Sequence, residues 1–409
     1  MDKVITFIMA GGKGERLYPL TKDRTKPAVP FGGIYRIIDF TLSNCINSNL
    51  RKIYILTQYK SASLNRHVRL GWNIFSSELG EHIEILPAQQ RLGESWYLGT
   101  ADAIYQNLYL LDIDKPKEIL ILAGDHVYKM NYYSMIDFHR YKNADLTVGV
   151  VEVDKNESDQ FGVLEVDSES NVIGFQEKPS LALAKTIPSK PDKIYASMGI
   201  YFFKYPILQR ELQADTKDTG SLHDFGRNII PHMLNKGSKI TSYNFIDENK
   251  KDAKYWRDIG TIDAYYEANM DLVQINPLFN LYDKNWPVRT YQEQFPAAKT
   301  VFAGGENSDR IGFVLDSLIS GGCIVSGGKI QNSILSPNVR INSFSQVYDS
   351  ILMEGVNVGR HSKIKRAIVD KDVNIPEGSV IGYNLDEDRK RFMVSDSGIV
   401  VVEKGADLK

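Results

Sequence analysis

Val4-Ile5-Thr6-Phe7-Ile8-Met9-Ala10-Gly11-Gly12-Lys13-Gly14-Glu15-Arg16-Leu17 is an apolar run that breaks into glycines and positive charge. Val4 to Met9 reads as a buried strand. The glycines remove side-chain bulk at its end, so the backbone can approach a phosphate and offer it N–H donors. Lys13, Arg16 and Lys26 bring positive charge to the same place. A strand ending this way suits an α/β sheet that holds a nucleotide triphosphate. No Gly-Lys-Ser/Thr follows, which excludes a Walker-type loop, and Gly12-x-Gly14 lacks the third glycine of the dinucleotide fingerprint. The plainer alternative is an ordinary glycine turn after a first strand.

Working outward, residues 52–57 (Lys-Ile-Tyr-Ile-Leu-Thr) and 118–123 (Glu-Ile-Leu-Ile-Leu-Ala) read as strands. Continuous aliphatic strands belong in a parallel sheet covered on both faces. Residues 98–111 read as a helix with Thr100 near its N-cap. The alternation predicts a doubly wound α/β domain over residues 1–270, with ligands at the carboxyl ends of the strands. Gly11 and Asp125 both fall at such ends.

From about residue 311 the period changes. Leu318, Ile324, Ile330; Leu335, Ile341, Val347; Leu352, Val358, Ile364; and Val369, Ile375, Ile381 step by six within each triplet and by five between triplets. A hexad period with small or polar residues between reads as a parallel β-helix, one triplet per three-sided coil. This assigns residues 311–409 to a second domain with a C-terminal tail. Residues 271–310, with Pro277, Pro287, Pro296 and Gly304-Gly305, read as a linker. The flat faces and open ends of such a prism predict an oligomer.

Lysine and arginine number 49 against 51 aspartates and glutamates, so overall charge points to neither nucleic acid nor a membrane surface. Cys45 and Cys323 lie too far apart for metal-ligand spacing. With no secretory pattern at Met1-Asp2-Lys3 and no apolar run long enough to span a bilayer, the expectation is a cytoplasmic protein.

Asp125, in Ala123-Gly124-Asp125-His126, can hold Mg²⁺ over a triphosphate, because that ion takes one or two carboxylates plus phosphate oxygens, with a turn or cap as its alternative. Asp258, in Trp256-Arg257-Asp258-Ile259-Gly260-Thr261, is a second candidate, with a helix cap as its alternative. Glu177-Lys178-Pro179 offers a cation for a sugar phosphate and an acceptor for a sugar hydroxyl, or else a solvated ion pair. His126, His223 and His232 lack metal-ligand spacing and are assigned no metal. No arrangement suits covalent catalysis. The set fits phosphoryl or nucleotidyl transfer, in which positioning and charge neutralisation supply most of the catalysis.

These residues resemble the sugar-nucleotide pyrophosphorylases, and within them the branch that makes ADP-glucose. The loop Ala10 to Leu17 with Lys26-Pro27-Ala28-Val29 is shared across that family. The narrower likeness rests on Arg36-Ile37-Ile38-Asp39-Phe40, Leu86-Pro87-Ala88-Gln89-Gln90-Arg91, Trp96-Tyr97, Ser197-Met198-Gly199-Ile200-Tyr201, His223-Asp224-Phe225-Gly226 and Tyr255 to Thr261.

The resemblance implies a Rossmann-like domain with a mixed, mostly parallel sheet, followed by a left-handed parallel β-helix. It implies in-line transfer of adenylate from ATP to glucose 1-phosphate with Mg²⁺, serving glycogen synthesis. Arg16, Asp125 and Lys178 would be catalytic. Gly11, Gly12, Gly14, Arg16, Gln89, Tyr97, Gly99 and Thr100 would bind the nucleotide. Gly162, Glu177, Lys178 and Ser197 would bind glucose 1-phosphate, and Asp125 and Asp258 the metal. Lys26, and Arg389 in the basic run 389–391, would answer anionic effectors; for that run a solvated charge cluster is the alternative. A homotetramer is implied as well. Relatives that serve only as regulatory subunits lose some of these residues; this chain keeps Arg16, Asp125, Lys178 and Asp258.

Overall fold

The computed structural model describes residues 4–89, 96–251, 254–301, 310–406 and 408. Its core is a nine-stranded sheet. In chain order the strands are β1 (Val4–Met9), β2 (Lys52–Thr57), β3 (His82–Pro87), β4 (Glu118–Ala123), β5 (Leu146–Asp154), β6 (Gly162–Val166), β7 (Val172–Glu177), β8 (Lys193–Lys204) and β9 (Ile240–Asn244). The aliphatic strands expected from sequence stand side by side. β1 lies between β2 and β4, parallel to both, with Ile8 opposite Ile55 and Leu122. The twelve-residue β8 runs antiparallel to β4, β5 and β6. Helices cover both faces and divide the core into two clusters, one around Leu42, Cys45 and Met135, the other around Ile104, Leu208 and Met233.

The helix expected over 98–111 is broken. It spans Thr100–Tyr105, with Gly99 rather than Thr100 as N-cap, and is followed by a 3₁₀ turn at Leu108–Leu110 and a short helix at Leu111–Asp114. Asn107 is the cause. Its side chain takes the Ala103 carbonyl that its own N–H would use in an α-helix, and that N–H turns to Ile104 instead.

The C-terminal part is a parallel β-helix of three stacked sheets. Ten of the twelve expected inward positions, all but Leu318 and Ile324, lie buried in its core. Those two are one residue early. Ile319 pairs with Leu335 and Val325 with Ile341, so Ile319 and Val325 hold the inward positions. The Gly327–Gly328 corner is the reason: it turns in one residue fewer than the Asn342–Ser345 corner below it. Gly327 is left-handed (φ 69°), and a Cβ at Gly328 would meet Ile341 at 2.6 Å. A serine ladder keeps the coils in step, with Ser333 N–H donating to Ser317 Oγ, Ser350 N–H to Ser333 Oγ and Ala367 N–H to Ser350 Oγ.

A first β-helix strand, Lys299–Val301, already pairs with Ile324–Ser326 inside the stretch read as linker. At the other end the tail strand Val400–Val402 continues one face by pairing with Ala367–Val369. The outward row Ile334, Ile351, Ile368 and Val401 on that face is buried against Leu20, Phe31, Tyr265 and Val273 of the sheet domain. Among the described residues, no helix is long and apolar enough to cross a membrane.

Candidate active site

The glycine loop leaves β1 at its carboxyl end. Gly14 is left-handed at φ 65°, and a Cβ there would meet Lys26 Cβ and Thr21 Cγ2 at 3.1 Å each. Thr21 Oγ1 donates to the Gly14 carbonyl, and Thr25 Oγ1 to that of Ala10. Gly11 packs on Gln58, whereas nothing lies within 4 Å of a Cβ at Gly12, so open space faces the middle of the loop. Arg16 is exposed and reaches over Gly260, where a Cβ would sit 3.1 Å from its Nη2 and 3.4 Å from Asp258 Oδ2.

Asp125 and Asp258, far apart in sequence, come together through a small antiparallel ribbon. His126–Tyr128 pairs with Trp256–Asp258, with Asp258 opposite His126. Lys26 Nζ lies 2.8 Å from Asp125 Oδ2 and 2.8 Å from Asp258 Oδ1. Burial alone would raise the Asp125 carboxyl, but the Lys26 ammonium outweighs it and holds the group at about 2. Burial pulls the Lys26 ammonium down, and the two carboxylates raise it overall. Asp125 is thus anionic at neutral pH beside the glycine loop, and Asp258 shares the same ammonium. Two hard carboxylates already sharing a cation fit a divalent metal of the Mg²⁺ type. His126, assigned no metal from sequence, belongs to the same cluster: its Nε2 lies 3.5 Å from Asp125 and 3.7 Å from Asp258. Adjacency to Asp125 was the one signal for it.

Across the carboxyl end of the sheet lies a second group. Gly162 and Gly226 make room for the Glu177 carboxylate, since Cβ atoms there would stand 2.9 and 2.5 Å from its Oε2. Burial, with the Asp224 carboxylate close by, raises Glu177. Lys178 is left-handed (φ 50°), and its N–H is held by the Phe161 carbonyl. Ser197 sits at a bulge in β8 and hydrogen-bonds Tyr201; Gly199, in the same bulge, lies against Ala123 and His126. The bulge therefore joins this group to the aspartates.

A nucleotidyl transferase family model matches residues 5–275, and a GlmU-like C-terminal hexapeptide model matches residues 296–402. A glucose-1-phosphate adenylyltransferase of Koribacter versatilis is 57% identical over all of this chain and 97% of its own length. One from Rhodopirellula baltica is 52% identical over 99% of this chain and 91% of its own. Another, from Vibrio cholerae, is 49% identical over 98% of each. The chain belongs to the glucose-1-phosphate adenylyltransferases.

The remaining expected residues of this adenylyltransferase do not all lie in one place. Gln89 is exposed just past β3; its neighbours Gln90 and Arg91 lie outside the described residues. Tyr97 accepts a hydrogen bond from Asn107. Gly99 presses on the next segment so closely that a Cβ would fall 2.3 Å from the His223 carbonyl oxygen. Thr100 Oγ1 donates to Asp224 and accepts from Phe225 N–H, an unforeseen link between the start of its helix and the segment beside Glu177. Lys26, expected to answer anionic effectors, lies on the two aspartates. Arg389 lies on the surface, 3.3 Å from Asp386.

Proposed function

We propose that the protein joins ATP and glucose 1-phosphate into ADP-glucose and diphosphate, by in-line transfer, to supply α-glucan (glycogen) synthesis. One observation carries the catalytic reading: Asp125 and Asp258 converge beside the glycine loop with Lys26 between them. The loop N–H groups around Gly12 cradle the triphosphate. Arg16 places positive charge where the reacting phosphate lies, and Lys178 holds the phosphate of the sugar. Glu177 accepts from sugar hydroxyls. The glucose 1-phosphate oxygen then bonds the α-phosphorus as the bond to the bridging oxygen breaks, and diphosphate leaves with the electron pair. Mg²⁺ held by Asp125 and Asp258 would neutralise charge on the triphosphate.

An Asp125→Asn variant tests this. It is expected to fold, by circular dichroism, and to form ADP-glucose about a thousandfold more slowly, a loss of about 4 kcal/mol at the transition state. Unchanged turnover would remove Asp125 from the mechanism.

Anionic effectors are assigned to a cavity of about 1200 Å³ between the two domains, which Arg24, Arg36, Arg66, Lys371 and Lys404 line together with Asp23, Glu293, Glu354 and Asp372. Arg389 does not line it. Arg24 is two residues from Lys26, so the cavity and the aspartates share one short segment. A homotetramer suits the exposed Leu315, Val380 and Tyr383 on the β-helix; light scattering would read it directly.

A further inference from the structure

Lys26 stands where a divalent cation is expected. Its ammonium makes two 2.8 Å ion pairs, one to each aspartate, and its side chain is only 10% exposed. The stem is fixed. Lys26 lies in a buried 3₁₀ turn, Lys26–Ala28, with its Cβ under Gly14 and its carbonyl held by Val29 N–H. Arg24, just before it, is bound by both oxygens of Asp370 at 2.7 and 2.6 Å. Only the far end of the side chain is free to change partner.

Two carboxylates face one ammonium at ion-pair distance, with the His126 ring beside them and the Arg16 guanidinium over Gly260. That arrangement holds the carboxylates together, and it also fills the space between the oxygens a metal would use. An ammonium and a divalent cation cannot share that space. A triphosphate on the glycine loop, which touches Lys26 through Gly14, changes the balance by offering the ammonium a second, more highly charged partner.

We propose that Lys26 is a built-in competitor for the metal aspartates: it keeps them closed to a divalent cation until a nucleotide triphosphate draws its ammonium away. Metal loading is thereby tied to nucleotide binding, and the free enzyme does not hold the ion in advance. The same lysine serves the aspartates in one state and the phosphates in the other. This inference rests on the reading of Asp125 and Asp258 as the metal-holding pair.

Mn²⁺ binding followed by electron paramagnetic resonance tests it without turnover. In nucleotide-free protein, Lys26→Met is expected to bind Mn²⁺ at least about tenfold more tightly than wild type, because the competing charge is gone. Lys26→Arg, which keeps the charge, is expected to stay weak. With α,β-methylene-ATP present, wild type gains affinity by about the factor that Lys26→Met has already gained. Thermal unfolding checks that the variants are folded, and Lys26→Gln replaces methionine should that variant not fold. Equal Mn²⁺ affinity of wild type and Lys26→Met in the absence of nucleotide would overturn the competitor role. Adding Asp125→Asn to Lys26→Met separates the two readings. Loss of Mn²⁺ binding in the double variant upholds the aspartate site whatever the lysine does, whereas its retention would overturn the aspartate reading and the inference with it.

Discussion

Lys178 shows how single residues are set for their task. Its left-handed backbone (φ 50°) is unusual for a side chain of this kind and departs from the extended backbone that the following Pro179 predicts. The backbone therefore sets the direction in which the side chain leaves the strand. Lys178→Ala is expected to raise the KM for glucose 1-phosphate about tenfold or more and that for ATP far less, since the lost contact is to the sugar phosphate. Initial-rate measurements with each substrate varied would check this, and equal losses for both would remove the role. At this scale Asp125, Asp258, Glu177 and Lys178 were legible as candidates, because charge beside a glycine or proline after a strand is a local pattern. The partner of the aspartates was not. Lys26 and Asp258 are joined only by the fold, and nothing near Lys26 in the chain announces two carboxylates.

Elements were legible where one period ran unbroken. β1, β2 and β4 occupy the runs read from sequence, because strands buried on both faces are aliphatic throughout. The hexad frame held wherever the corners were equal and slipped by one residue above Gly327–Gly328, where a glycine corner is shorter. Asn107 likewise broke a helix that periodicity alone would continue. The helix Tyr132–Lys142 carries a testable consequence of burial. His139 is buried, its Nδ1 is 2.8 Å from Thr147 Oγ1, and its ring lies edge-on to Phe202. Burial lowers its pKa to about 4 from an ordinary 6.5. The ring is neutral in the fold and takes a proton more readily in the unfolded chain. Its contribution is therefore complete above about pH 6.5 and is lost as the pH falls toward 4, by an amount on the order of 3 kcal/mol. Denaturant unfolding between pH 7 and 4 should show that decline, and His139→Gln should flatten it. An identical decline in the variant would assign the effect to other groups.

Across the whole molecule, the β-helix reaches back to the start of the chain. Its outward row Ile334, Ile351, Ile368 and Val401 buries apolar surface against the sheet domain. Inside that contact the Arg24–Asp370 pair is almost fully buried, with side chains 6% and 2% exposed. Removing one partner of such a pair leaves an uncompensated charge. Asp370→Asn is expected to cost about 3–5 kcal/mol in denaturant unfolding, and Arg24→Met/Asp370→Leu to recover much of that loss. Additive losses in the double variant would show that the two side chains do not act as a pair. The two-domain plan was legible from the change of period. The contact between the domains was not, since the residues that form it lie hundreds of positions apart and look like ordinary surface or core in either half.

The central claim is adenylyl transfer to glucose 1-phosphate. Its most direct test is diphosphate release by the purified protein with Mg²⁺, glucose 1-phosphate and, in turn, ATP, UTP, dTTP and CTP. A strong preference for ATP, with ADP-glucose as product, is the predicted result. Preference for another nucleotide, or no release with any of the four from folded protein, would contradict it.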